Sequence, residues 1–225
     1  MVKLYLSDAI ALVRKNLDEV EPNGSVMYED EGIDNLSLDD IIAKHLPEAI
    51  NAVHLSAPVQ LLEGKPYESS DLVSVSITDG ILSVALKTDT NYLRLVTFQA
   101  ADSYIVVTDV LGEASPEGRK QLNPYLRGRA DRPRLVLMQG RHSGPVLKYY
   151  TLTDGSAYED NPESAISRLT FVQEQFYIAD NPNGYDISRR LRQNIIDYLT
   201  AMVLETYGNQ HAESYYQKAN SYSTI

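Results

Sequence analysis

The sequence predicts an α+β protein in which N- and C-terminal helices form a helical bundle, with an antiparallel β module, sandwich-like or barrel-like, inserted between them. Three observations carry that expectation. Apolar residues recur every three or four positions near both ends, at Ile10, Val13 and Leu17 and again at Leu191, Ile195, Leu199 and Val203, the spacing of one helical face. From Val59 the period shortens to about two, the alternation of a half-buried strand. Asp79 and Gly80 then separate two alternating runs, and such a pair favours the positive φ of a two-residue hairpin turn. The division is a helical part, residues 1–57 with 179–225, and an inserted β part, residues 58–178.

In chain order, Ser7 is placed to cap a short first helix. The stretch from Asp18 to Leu36 is acidic and holds Pro22, Asn23, Gly24 and Gly32, so it reads as a linker or extended arm. Ser37 with Asp40 three residues on is a capping-box pattern, opening a second helix that buries Ile41, Ile42, Leu46, Ala49, Ile50 and Val53. Pro47 lies inside it and is expected to kink or restart it, because proline has no amide donor. Counting outward from Asp79-Gly80 pairs Ile77 with Leu82, Val75 with Val84 and Val73 with Leu86, all on one face. Further strands are expected at Tyr92–Phe98, Arg134–Gln139, Val146–Leu152 and Leu169–Ile178. Ser115-Pro116-Glu117 reads as a helix start, and Arg127–Pro133 as a basic loop. Helix returns at Asp186 with Ile187 in its apolar stripe, ends near Gly208, and is followed by a last helix over Gln210–Asn220.

At 225 residues and 43% apolar composition, the chain can build a core without staples. It has no cysteine, which removes disulfides, thiolate zinc sites and cysteine nucleophiles and fits a reducing compartment. Asp8 interrupts the N-terminal apolar residues before a signal peptide could form. No stretch reaches the roughly 20 apolar residues that span a bilayer, so no membrane association is expected. The net charge of −11 argues against a general nucleic-acid binder, which needs cations to displace counterions from phosphate. The charge is uneven. From Arg119 to Arg141 there are seven cations, including Arg127, Arg129, Arg132 and Arg134, against Asp131 alone, a net +6 that leaves −17 elsewhere. Those four arginines are the candidate partner-binding residues; a set of solvated loop charges is the alternative reading.

Catalytic and metal patterns fail on spacing. Gly140-Arg141-His142-Ser143-Gly144 resembles a nucleophile elbow with the serine one place late, and neighbouring His and Ser in a strand point to opposite faces. His45 and His54 are nine residues apart, on opposite sides of a helix. His211 is an isolated histidine near a helix start. Glu29, Asp30, Glu31 and Asp34 suggest calcium, but setting Gly32 at the loop glycine puts Met27 at the first ligand position. There is no glycine-rich phosphate loop. No enzyme activity, metal or cofactor is expected. Sixteen tyrosines against three phenylalanines favour a chain with extensive partner contacts, since Tyr joins an apolar ring to a polar tip.

The C-terminal run Tyr198 to Gly208, followed by Ala212, Glu213, Ser214, Tyr215, Tyr216, Gln217, Lys218 and Ala219, resembles the ending of head-to-tail connector (adaptor) proteins of tailed bacteriophages. The segment Leu93–Phe98, with Asn123, Pro124, Tyr125, Leu126, Arg127 and Gly128 leading to Pro133, is more similar to ring proteins of phages of gut Bacteroidetes such as the crAss-like group. The resemblance implies a virion subunit, assembled in the host cytoplasm, that forms a homo-oligomeric ring, commonly a dodecamer. Such a ring binds the portal protein and other tail proteins, and DNA passes through its channel without sequence recognition. Two other classes stay open. One is a β module binding a small ligand or glycan, which needs exposed aromatics around a concavity; the neighbours Tyr149 and Tyr150 would face opposite ways in a strand. The other is a hydrolase built on His142 and Ser143.

Overall fold

The computed structural model describes residues 1–20, 37–139, 144–150, 152, 155–179 and 181–222. In chain order the elements are β1 (Val2–Leu4), α1 (Leu6–Val20), α2 (Leu38–Ser56), β2 (Lys65–Pro66), β3 (Leu72–Thr78), β4 (Ile81–Leu86), β5 (Tyr92–Ala100) and β6 (Leu111–Gly112). They continue with α3 (Pro116–Lys120), β7 (Arg134–Gln139), β8 (Pro145–Tyr150), β9 (Ile166–Gln173), β10 (Tyr185–Ile187), α4 (Arg192–Thr206) and α5 (Ala212–Asn220). The protein is mixed α/β with antiparallel sheets and no closed barrel among the described residues. Residues group into two compact units, Met1–Glu63 with Glu174–Ile225, and Gly64–Gln173.

In the first unit α4 packs against α1, α2 and α5. Helix α1 begins at Leu6, and the Tyr5 carbonyl accepts from the Ala9 amide at 3.1 Å. Ser7 therefore lies inside the first turn and is not the cap. Ala9, Val13 and Leu17 are the buried side of this helix. Ser37 caps α2 as its sequence predicts: its hydroxyl accepts from the Asp40 amide at 3.2 Å while the Asp40 carboxylate accepts from the Ser37 amide at 3.2 Å. The helix runs through Pro47 without restarting. The carbonyl of Ala43 forgoes its usual donor there, and the proline ring is buried with Leu46 and Ile50.

The helix expected from Asp186 starts later. Residues 185–187 form β10 and pair antiparallel with β1, Val2 opposite Ile187 and Leu4 opposite Tyr185. Gly184 makes this possible at φ +64, where a Cβ would come within 3.0 Å of the Leu4 carbonyl. Over three residues, Tyr185 and Ile187 flanking Asp186 fit a strand as well as a helix, and Lys3 Nζ donates to Asp186 at 2.8 Å across the pair. Helix α4 stops as the sequence suggests. Gly208 has φ +68, the Asn209 amide reaches the Leu204 carbonyl and the Gly208 amide the Glu205 carbonyl, each at 2.9 Å, the double bond of a Schellman ending.

The second unit holds a five-stranded sheet of order β3-β4-β8-β7-β6 and a three-stranded sheet of order β2-β9-β5. All pairs are antiparallel except β6 with β7, which run parallel. Leu82, Val84, Leu135, Leu147 and Tyr149 from the larger sheet share one apolar cluster with Leu95, Phe98, Leu169 and Phe171 from the smaller. The Phe98 and Tyr149 rings lie 5.3 Å apart. The hairpin has its predicted register, Ile77 opposite Leu82 and Val75 opposite Val84, and both turn residues have positive φ, Asp79 at 52 and Gly80 at 72. It departs at its far end: Leu86 faces Leu72, the register shifts before Ser74, and Val73 is 55% exposed. A bulge puts the extra residue outside the ladder. The last strand of the unit also lies earlier than expected, at Ile166–Gln173 rather than Leu169–Ile178, and Phe176, Tyr177 and Ile178 are exposed.

Two predictions follow from these contacts. Gly80→Val puts a β-branched residue at φ +72 and should cost about 1–2 kcal/mol, seen as a lower melting temperature; an unchanged melting temperature contradicts the turn. The second concerns His54, which is fully buried and accepts from the Ser188 amide at 3.4 Å, while the Ser188 hydroxyl accepts from the Glu63 amide at 2.9 Å. Burial lowers its pKa from 6.5 to about 4. The unfolded chain therefore takes up this proton first as pH falls, so stability present above about pH 6.5 is lost progressively toward pH 4, by at most about 3 kcal/mol. In urea unfolding at pH 7 and pH 5, His54→Gln should show the smaller pH-dependent loss; equal losses in mutant and parent contradict the assignment.

Candidate partner-binding surface

The basic segment is the connection from β6 to β7, two neighbouring parallel strands, with Leu111 opposite Val136 and Gly112 opposite Leu137. Its twenty-one residues, Glu113 to Pro133, form an arch with its own internal bonds. Ser115 caps α3 by accepting from the Gly118 amide at 3.0 Å, and its hydroxyl donates to the Gly112 carbonyl at 2.7 Å. The Gly118 backbone comes so close to Gly112 that a Cβ would stand 2.2 Å from the Gly112 oxygen. Gln121, only 4% exposed, spans the arch: its Oε1 accepts from the Gly128 amide at 2.7 Å and its Nε2 donates to the Glu117 carbonyl at 3.1 Å. The Asn123 carbonyl accepts from the amides of Leu126 and Arg127, each at 3.0 Å. Arg129 and Arg132 exchange backbone bonds of 3.2 and 2.9 Å around Ala130-Asp131, and the buried Pro133 returns the chain to β7.

This ordering leaves large apolar groups in water. Leu122 is 71% exposed, Tyr125 90% and Leu126 60%. Around this crest, Arg119, Arg129 and Arg132 are exposed, while Arg127 and Arg134 are half-buried. Among the described residues the ion pair of the arch is Lys120 with Glu117 at 2.6 Å, and none of these arginines has a carboxylate within ion-pair distance. The Lys120 bond and charge, reinforced by Arg134 and Arg132, hold the Glu117 carboxyl below its ordinary range. Beneath the arch, burial raises the Tyr150 phenol, which the positive charge of Arg127 partly offsets and Glu113 reinforces. An open groove of about 680 Å³ lies at the β6 edge, between Gly112, Glu113, Arg119, Leu122, Leu137 and Gln139.

Three of the four predicted arginines, Arg127, Arg129 and Arg132, thus belong to one arch, and Arg134 is the first residue of β7 at its foot. Sequence reasoning missed the parts that shape it, Gln121 and the crest of Leu122, Tyr125 and Leu126; the signal for the crest was three apolar residues with no helical or strand period inside a charged run. The other sites weighed in the sequence separate. His45 Nδ1 is 3.5 Å from Glu48, His54 is buried and His211 is exposed. No three of His, Asp or Glu converge on a metal position among the described residues. His142, Ser143 and the acidic run Glu29 to Asp34 lie outside the described residues. The tyrosine excess is spent in two ways: Tyr149, Tyr150, Tyr185 and Tyr215 are buried, whereas Tyr5, Tyr104, Tyr125 and Tyr177 are exposed. Tyr149 and Tyr150, weighed for a glycan site, are both in the interior.

No protein-family model and no curated protein matches the chain. No helix among the described residues is long and apolar enough to cross a membrane.

Gln121→Leu removes the amide that accepts from the Gly128 N–H and donates to the Glu117 carbonyl, a loss of about 0.5–1.5 kcal/mol per bond. Limited trypsin digestion should then cut after Arg127 or Arg129 faster in the variant than in the parent, at a temperature where both stay folded. Equal cutting rates contradict the role of Gln121 as the clamp of the arch.

Proposed function

We propose that this chain is a structural assembly subunit of a tailed-phage virion, forming a ring that joins the portal and capsid vertex to the tail and lines the DNA channel. One observation carries the assembly part of this reading: a preordered arch that displays an apolar crest among arginines with no ion-pair partner among the described residues. Burying Leu122, Tyr125 and Leu126 on a partner is worth about 1.5–3 kcal/mol per side chain. Arginine adds bidentate bonds to carboxylates, and the acidic remainder of the chain supplies them in abundance. Tyrosine and arginine on a rigid base are the composition of an interface centre. The virion context rests on the resemblance of the Tyr198–Ala219 ending and of the β segments to connector and ring proteins.

In this reading the helices of the first unit are the adaptor bundle and the two sheets of the second are its β insertion, packed as a sandwich. Copies of the chain contact one another in the ring, the portal and tail proteins contact its two ends, and the acidic subunit lets DNA pass with little adhesion. The protein works in the virion after assembly in the host cytoplasm.

Changing Arg127, Arg129 and Arg132 together to Glu should leave circular dichroism and melting near those of the parent, since these side chains make no ion pair among the described residues. It should abolish ring formation, seen by light scattering after size exclusion, or portal capture in a pull-down. A folded triple variant that assembles and captures portal like the parent refutes this surface as the contact.

A further inference from the structure

Resting on the assembly reading, we infer that the five-stranded sheet carries both halves of a head-to-tail contact. The arginine arch at the β6 edge of one copy docks on an acidic edge along β3 of the next.

The sheet order puts β3 and β6 at opposite ends, and the two ends differ in charge. On the β6 side, residues 113–134 carry six cations against Glu113, Glu117 and Asp131, a net +3. On the β3 side, the 3-10 turns Gly155–Tyr158 and Pro162–Ala165 pack against β3, and the turn Ser69–Asp71 leads directly into it. Residues 65–71 and 155–165 carry Glu68, Asp71, Glu159, Asp160 and Glu163 against Lys65, a net −4. The turns Ser69–Asp71 and Pro162–Ala165 are tied together by the Ser69 hydroxyl, which donates to Glu163, and the first of them is closed by the Glu68 amide, which donates to Asp71 at 2.9 Å. Lys65 satisfies Asp71 and Glu68 at 3.7 and 4.0 Å. Glu159 and Asp160 stay exposed and make no ion pair among the described residues.

Within one copy the two patches cannot neutralise each other. Four strand intervals separate the edges, about 19 Å at the usual spacing, more than twice the screening length of about 8 Å at physiological salt. Each patch therefore keeps its field for a partner. Apolar complementarity accompanies the charge: the bulge that turns Val73 outward at the β3 edge offers an exposed branched side chain. The groove at the β6 edge has Leu122 and Leu137 on its walls and Arg119 at its rim. A contact between two different patches is heterologous, so every copy keeps one free patch of each sign until a ring closes.

The test uses two full-length variants, Arg129→Glu with Arg132→Glu, and Glu159→Lys with Asp160→Lys, followed by size exclusion with light scattering. The parent should assemble and each variant alone should be monomeric. An equimolar mixture should co-assemble, because the intact arch of the second variant meets the intact acidic edge of the first, while the substituted glutamates of the first meet the substituted lysines of the second. If the acidic-edge variant assembles like the parent while the basic-edge variant does not, the edge-to-edge contact is wrong and the assembly reading stands. A mixture of folded variants that stays monomeric also overturns the contact. A parent that is monomeric at its highest soluble concentration removes both the contact and the self-assembling ring.

Discussion

The side-chain amide of Gln121 holds the shape of everything the basic segment presents. A buried amide is costly unless both its ends are bonded, and here both are, to Gly128 on one side and Glu117 on the other. Ordering backbone costs about 1–2 kcal/mol per residue, so a free connection of this length would lose most of any binding energy in becoming ordered. The arch meets that cost during folding. Its crest and arginines then bind as a rigid surface, which is the advantage of preorganisation. Gly118 and Gly128 serve the same end, since a Cβ at either would collide with backbone at 2.2 and 2.9 Å.

Rigidity below the arch comes from the sheet that anchors it. Leu135 of β7 and Leu147 and Tyr149 of β8 are almost completely buried in the cluster with Phe98 and Phe171, so the strand that ends the arch and its neighbour cannot shift without opening the core. Tyr150 points away from that cluster yet is only 2% exposed, with the charges of Arg127 and Glu113 acting on it. The end of β8 is thus covered on both faces at Tyr150, while Val146 and Lys148 stay half-buried.

What was legible in the sequence was local. The Asp79-Gly80 turn, the Ser37 capping box, the Ser115-Pro116 helix start and the Gly208 ending each depend on a few neighbouring residues, and each formed as read. What was not legible depends on distant partners. Residues 185–187 are a strand because β1 lies beside them, 183 positions away for the Lys3–Asp186 bond. The parallel β6–β7 pair is two residues long, too short to leave a period. In the candidate surface, the arginines were visible as charge, but a lone glutamine gives no sign that it will be buried, and the crest has no periodicity. The bulge at Val73 escaped for a related reason: alternation fixes which face a residue takes only while the ladder stays regular.

An overall acidic chain with one basic arch has a built-in dependence on ionic strength. Sedimentation velocity of the unmodified protein across a salt series tests the central claim that this arch is an assembly interface. At low salt the account predicts a ring-sized species, falling to monomer as salt approaches about 1 M, where the screening length is about 3 Å, with circular dichroism unchanged throughout. An assembly that keeps its size across the series, or one that grows as salt is added, would contradict an interface built on the arginines of the arch.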